Sequence, residues 1–150
     1  MHEDINEILR RTNLPKGTGL DQSGQAAVSI GGIRVFMRQD PGGVLMAMCP
    51  MGSVASLDAE RTAFVMRGLL KLNLPGEEQS PNRFCMDPEG RVYLAGIFKL
   101  ENGQEDLLVS AVNGYIEELP SALLRFRSLS GGASGQDDED ADLGQIPQWG

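Results

Sequence analysis

Apolar residues along this chain recur with two different periods. Between residues 25 and 49 they largely alternate, whereas over 57–73 and again after 105 they return every three or four positions. Alternation belongs to strands, whose successive side chains point to opposite faces, and the longer period belongs to helices. Residues 25–30 (QAAVSI) put Ala26, Val28 and Ile30 on one face. Residues 33–38 (IRVFMR) set Ile33, Val35 and Met37 against Arg34, Phe36 and Arg38. Gly31-Gly32 between them suits a primed two-residue hairpin turn. Asp40-Pro41-Gly42-Gly43 predicts the next turn. Residues 44–49 (VLMAMC) then form a third strand with two apolar faces, Leu45, Ala47 and Cys49 on one and Val44, Met46 and Met48 on the other. Pro50 and Gly52 are expected to end it.

The helical period predicts a short helix over 4–12, with Asp4 and Glu7 at capping-box spacing and Ile5, Ile8, Leu9 and Thr12 as its stripe. A stronger helix is expected over 57–73, with Ser56 as N-cap and Pro75-Gly76 as its stop. Leu57, Phe64, Val65, Gly68, Leu69 and Leu72 cover one broad face of it; Ala59, Ala63, Met66 and Leu70 cover a second. A surface helix needs an apolar stripe of roughly 100°, so this one has a spare apolar face. Residues 83–87 and 91–99 read as a hairpin around Pro88-Glu89-Gly90. Its second strand places Val92, Leu94, Gly96 and Phe98 opposite Tyr93, Ala95 and Ile97. A turn at Asn102-Gly103 leads to an amphipathic helix over 105–119, with Leu107, Leu108, Ala111, Val112, Tyr115, Ile116 and Leu119 inward. Pro120 is expected to kink or restart that helix, and the apolar pattern runs on to about residue 129. The resulting order, α-β-β-β-α-β-β-α, predicts an α+β sandwich: an antiparallel twisted sheet with helices packed against it.

Composition changes at residue 130. The stretch SGGASGQDDEDADLGQ cannot bury enough apolar surface to offset its ordering entropy, so 1–129 reads as one domain and 130–150 as a disordered acidic tail. Ile146, Pro147 and Trp149 at its end are either part of an unstructured terminus or a short docking motif. The formal charge of −8 is mostly a tail property, because 13 basic residues face 16 acidic ones over 1–130. No basic stripe is present, which argues against nucleic acid as a partner. No apolar run approaches the length of a membrane span, and the N-terminus has no apolar signal core, so a cytoplasmic protein without membrane insertion is expected. Cys49 and Cys85 are the only cysteines and read as two reduced, buried thiols.

Catalytic chemistry is not supported. There is no P-loop and no Gly-rich dinucleotide turn; the single histidine, His2, leaves Ser–His catalysis without a usable base. Neither metal nor cofactor is implied, and the carboxylates lie in turns and on polar faces. Function is therefore expected in surfaces. Two elements, the third strand and the 57–73 helix, have more apolar area than one small core can absorb. Such surplus marks interaction sites. Methionine suits adaptable contacts, being flexible and polarizable. Strand addition at a sheet edge is a further way to hold a polypeptide.

Four stretches resemble the class I type III secretion chaperones, the Tir-chaperone family, over about residues 4–129. LDQSGQAAVSIGGIRVFM (20–37) is similar to the family's L-D-x-x-G start of its first two strands. VLMAMCPMGSV (44–54) resembles the third strand. ERTAFVMRGLLKLNL (60–74) resembles the helix ending in L-L-x-x-N, and MDPEGRVYLAGIFKL (86–100) the D-x-x-G-x-V-x-L hairpin. The resemblance implies a bacterial cytoplasmic homodimer that binds the N-terminal region of one or a few secreted effectors, keeps it secretion-competent and hands it to the secretion ATPase without catalysis of its own. It implies a dimer interface at Ala63, Met66, Leu70, Phe84 and Met86. It implies effector contacts at Ile5, Leu9, Val28, Ile33, Val35, Met37, Met46 and Met48. The long acidic tail departs from the family pattern. An alternative of the same architecture is a YbjN-like regulatory or sensory binding module.

Overall fold

The computed structural model describes residues 2–74, 81–101 and 103–131. Its elements follow the expected order: α1 (His2–Arg10), β1 (Gln25–Ile30), β2 (Ile33–Gln39), β3 (Val44–Ser53), α2 (Ala59–Leu72), β4 (Arg83–Met86), β5 (Arg91–Lys99) and α3 (Glu105–Ser130). The strands form one five-stranded antiparallel sheet in the order β1-β2-β3-β5-β4, so β1 and β4 are its edges. The fold is α+β. The chain divides into two compact units, Met1–Cys49 with Gly96–Leu119, and Pro50–Ala95 with the chain from Pro120 onward.

In the first unit, β1 and β2 pair from Gln25↔Arg38 to Ile30↔Ile33, closed by Gly31 and Gly32 at φ +56° and +84°. Both turn positions need positive φ, which glycine adopts without steric cost. β2 and β3 pair from Phe36↔Met48 to Gln39↔Leu45. β3 answers the question of its two apolar faces by alternation: Leu45, Ala47, Cys49 and Met51 are buried, while Val44, Met46, Met48 and Pro50 are half-buried. Ile5, Ile8 and Leu9 of α1 are buried, as are Leu108, Val112, Tyr115 and Leu119 of α3. Asn6 ties α1 to the following loop, its Oδ1 accepting from the Leu20 N–H at 2.8 Å. Gly96 of β5 permits a close approach. A Cβ there would lie 2.7 Å from Phe98 Cζ and 2.9 Å from Tyr115 Cδ2. The two rings meet edge to face at 5.9 Å, a favoured aromatic geometry.

In the second unit, α2 is capped by Asp58, whose carboxylate accepts from the Arg61 N–H at 2.7 Å. The cap is therefore Asp58 and not Ser56. Both are good capping residues, but the helix begins at Ala59, so Asp58, in extended conformation, stands at the N-cap and Arg61 at the third helical position. Val65 and Leu69 are the buried residues of α2. Gly68 receives the Leu129 side chain of α3; a Cβ at Gly68 would sit 2.4 Å from Leu129 Cδ2. β4 and β5 pair from Arg83↔Ala95 to Met86↔Val92.

One turn design recurs three times. Asp21, Asp40 and Asp87 each accept from the N–H of the glycine three residues on (2.9, 3.0 and 3.0 Å) through the backbone carbonyl. Each also accepts from the N–H four residues on (Gln25, Val44 and Arg91; 3.0, 2.9 and 2.9 Å) through the carboxylate. Gly24, Gly43 and Gly90 all have positive φ. This geometry explains why D-x-x-G spacing carries so much of the sequence pattern: a carboxylate satisfies turn N–H groups that would otherwise need water.

Four expectations are corrected. β3 continues through Pro50 to Ser53: the fixed φ of proline suits an extended strand, and the ring removes only its own N–H while keeping its carbonyl as an acceptor. α3 runs unbroken past Pro120. Leu107, expected inward, is exposed in the helix's first turn, while Leu108 beside it is buried. Cys85 is exposed rather than buried, because β4 is a sheet edge on which Phe84 is the buried residue; both cysteines are free thiols, as expected. The Asn102 part of the 102–103 turn, the Pro75-Gly76 stop and the tail from 132 lie outside the described residues.

Candidate functional site

The outer edge of β1 presents the first candidate surface. Ile30↔Ile33 closes the two-residue hairpin, so Ile30, Val28 and Ala26 direct their backbone groups to β2. Gln25, Ala27 and Ser29 then direct theirs outward. Gln25 confirms the phase: its N–H donates to Asp21 Oδ1 at 3.0 Å and its carbonyl accepts from Asp21 N at 2.8 Å. Ala27 and Ser29 face a groove of about 480 Å³, whose far wall is the 15–19 loop. An extended polypeptide lying there would meet strand-type donors and acceptors on one side.

The other edge strand is closed at its centre. The Asn73 side chain accepts from the Phe84 N–H at 2.7 Å and donates to the Phe84 carbonyl at 2.9 Å. A single amide thus occupies both outward backbone groups of β4's buried residue, as a neighbouring strand would. Blocking an edge in this way suppresses unwanted strand pairing.

The residues expected to contact an effector do not share one surface. Ile5 and Leu9 are fully buried in α1, and Val35 and Met37 are buried in β2. Val28 and Ile33 are half-buried on the same sheet face as Val35 and Met37. Met46 and Met48 are half-buried on the opposite face, where Met48 pairs with Phe36 and Met46 with Arg38. Phe36, expected on a polar face with Arg34 and Arg38, is only 3% exposed.

Of the residues expected at a dimer interface, Ala63, Met66 and Leu70 lie on the exposed face of α2, Leu70 being 66% exposed. Met86 is exposed on β4, whereas Phe84 is buried. Phe64, also exposed, stacks beneath the Arg61 guanidinium at 5.0 Å. Nothing in the periodicity pointed to the groove wall at 15–19 or to the outward amides of Ala27 and Ser29. The register of the Gly31-Gly32 hairpin was the available signal, because it sets which residues face out.

The described residues hold no group of three or more His, Cys, Asp and Glu side chains placed for a metal ion, and no helix long and apolar enough to cross a membrane. Desolvation pushes the Cys49 thiol up to about 12. Partial desolvation, then the Asp87 carboxylate, raise the Cys85 thiol as well. Neither is a ready nucleophile, since the thiolate is the reactive form. Asp87 is a strongly organised charge. Burial opposes its ionisation, but the Arg91 N–H, the Arg91 guanidinium at 2.7 Å and the Tyr93 hydroxyl outweigh it and lower the carboxyl. This is turn architecture, not a catalytic pair.

Among solved structures, a chain of the heterodimeric ExoU–SpcU complex from the type III secretion system of Pseudomonas aeruginosa is similar in fold: 21% identity over 81% of this chain and 96% of that chain, TM-score 0.58. A chain of the complex between the Yersinia pestis type III secretion chaperone SycH and a stable fragment of YscM2 is also similar, with 15% identity over 80% of this chain and 94% of that one, TM-score 0.49. No curated protein matches the sequence. The family model of the Tir chaperone protein (CesT) family matches residues 4–122, from within α1 through all five strands and α2 into α3 past Pro120. The chain belongs to the Tir chaperone protein (CesT) family.

Proposed function

We propose that this protein is a bacterial, cytoplasmic type III secretion chaperone. It binds the extended N-terminal region of one or a few secreted effectors, keeps that region secretion-competent and delivers it to the secretion ATPase. It performs no catalysis. The groove beside β1 carries the reading. The outward N–H and C=O groups of Ala27 and Ser29 offer main-chain bonds to an added strand, which tolerates sequence variation in the ligand. Val28 and Ile33 on one sheet face, and Met46 and Met48 on the other, all half-buried, offer adaptable apolar contact to further segments of the effector. Ile5, Leu9, Val35 and Met37 support those residues from the core. Homodimers form through Ala63, Met66 and Leu70 of α2 with Met86 on β4, Phe84 buttressing from beneath. The ExoU–SpcU structure, a complex within a type III secretion system, shares this fold.

Co-expression with the neighbouring reading frames tests the reading. The expected result is a stable complex with a long partner whose N-terminal segment becomes protected from proteolysis. Ala27→Pro removes an outward N–H at an edge, where proline is tolerated, so it lowers partner affinity while leaving the fold intact. Failure to retain any partner would defeat the chaperone reading. Unchanged affinity in Ala27→Pro would defeat strand addition at β1.

A further inference from the structure

We infer that residues 17–19 are a built-in strap for the outer edge of β1: extended, they fill the strand position beside it, and a turn holds them off. The inference rests on the proposed strand addition at β1 only for its consequence, that strap and effector compete for one edge.

The recurring aspartate turn supplies the first observation. At Asp40 and at Asp87 it joins two paired strands, β2 to β3 and β4 to β5. At Asp21 the same turn leads into β1, but the element before it is α1, not a strand. In both complete hairpins the pairing runs on directly from the turn, so Gln39 meets Leu45 and Met86 meets Val92. The same count outward from Asp21 and Gln25 sets Leu20 opposite Ala26, Gly19 opposite Ala27 and Gly17 opposite Ser29. Gly19 and Gly17 thus fall on the two residues whose N–H and C=O groups point outward. The place of the missing strand is the groove of about 480 Å³ between the 15–19 loop and β1.

The second observation is what keeps the chain out of that place. Leu20 is buried, and its N–H turns away from β1 to Asn6 Oδ1 at 2.8 Å, as the hairpin pattern requires. Before Leu20 the chain folds aside. The Thr18 N–H and hydroxyl both donate to the Pro15 carbonyl, at 3.1 and 2.6 Å, and Gly17 takes φ +84°. A strand residue needs negative φ, so turn and pairing exclude each other at Gly17. Glycine is also a poor strand former, which disfavours closure at both positions. Residues 14–16 extend to about 10 Å once the turn unwinds, about twice the ~4.8 Å spacing of paired strands. A β-branched residue at position 17 reverses the preference, since left-handed backbone costs it enough to move such an equilibrium about tenfold. Gly19 also takes a side chain: the nearest neighbour of a Cβ there is the Asn6 amide, at an ordinary 3.5 Å.

Amide hydrogen exchange followed by NMR, on the full chain alone, tests the strap. In the wild type the Ala27 and Ser29 N–H groups are expected to exchange freely, and those of Val28 and Ile30, which face β2, to be protected. In a Gly17→Val, Gly19→Val double variant, Ala27 and Ser29 slow about tenfold while Val28 and Ile30 keep their protection. Thr18→Val, which loses the hydroxyl bond, moves them the same way; Thr18→Ser, which keeps it, does not. An effector obtained by co-expression binds the double variant about tenfold more weakly. Ala27 and Ser29 exchanging as fast in both valine variants as in the wild type overturns the inference. Loss of protection at Val28 and Ile30 in both also overturns it, since the turn would then be holding β1 in the sheet. Protection that grows with protein concentration does the same, the occupant then being a second copy. The exchange arm uses no effector, so failure of the chaperone reading leaves its result unchanged. Slowed exchange with unchanged affinity supports the strap and defeats strand addition at β1.

Discussion

Asn73→Ala tests how the edge strand is held, and its size follows from the geometry. The residue is the C-cap of α2 with φ −78° and ψ −13°, an ordinary helical conformation, and its own N–H donates to the Leu69 carbonyl at 3.0 Å. Alanine keeps both, so the backbone loses nothing. What goes is the amide that serves the Phe84 N–H at 2.7 Å and the Phe84 carbonyl at 2.9 Å. Phe84 is 8% exposed, so water regains its backbone groups only partly. A buried group left unsatisfied costs about 1–3 kcal/mol, against about 0.5–1.5 kcal/mol for a bond replaced by water. With two groups involved and partial rehydration, a loss of about 2 kcal/mol is expected. In urea, at an m-value near 2 kcal/mol/M, the midpoint falls by about 1 M. Equilibrium unfolding followed by circular dichroism, at one fixed protein concentration, measures it; concentration must be fixed because self-association adds apparent stability. Asn73→Asp keeps an acceptor for the Phe84 N–H but loses the donor, so it falls between wild type and Asn73→Ala. A midpoint unchanged in Asn73→Ala would refute the reasoning, showing that the clip carries no net energy.

Three further outcomes are expected. Leu70→Glu leaves the stability of the isolated subunit nearly unchanged, because Leu70 is 66% exposed there. In a symmetric dimer, however, it removes two leucine burials of about 1.5–3 kcal/mol each, so light scattering should show a monomer; a stable dimer would contradict the interface. Gly96→Ala drives a methyl into the Phe98 and Tyr115 rings and should destabilise by about 1–3 kcal/mol, read as a lower thermal midpoint; equal stability would mean the rings move aside freely. The lowered Asp87 carboxyl stabilises the fold fully above the ordinary carboxylate pKa of about 3.9, and that stabilisation disappears as pH falls through the lower folded value. The stability gap between wild type and Asp87→Asn should therefore be constant near neutrality and shrink below about pH 4. A gap that grows on acidification would reverse the assignment.

Element order, the strands β1 and β5 to their end residues, and the three aspartate turns were all determined by local sequence. Each depends on contacts within a few residues: alternation sets a strand's faces, a glycine pair admits the positive φ of a primed turn, and an aspartate side chain reaches N–H groups two to four positions ahead. Local pattern also showed that α2 and β3 carry more apolar surface than one face can hide. Tertiary structure decided what such pattern could not express. Sheet order made β1 and β4 the edges, and so exposed Cys85. Register chose Ala27 and Ser29 as the outward amides, while Asn73, eleven residues from Phe84, closed the opposite edge. Burial of Ile5, Leu9, Val35 and Met37 followed from which face the core took. An apolar residue reads the same in sequence whether its neighbours are its own chain or a partner, because hydrophobic burial is non-directional. Only the placement of distant segments separates the two.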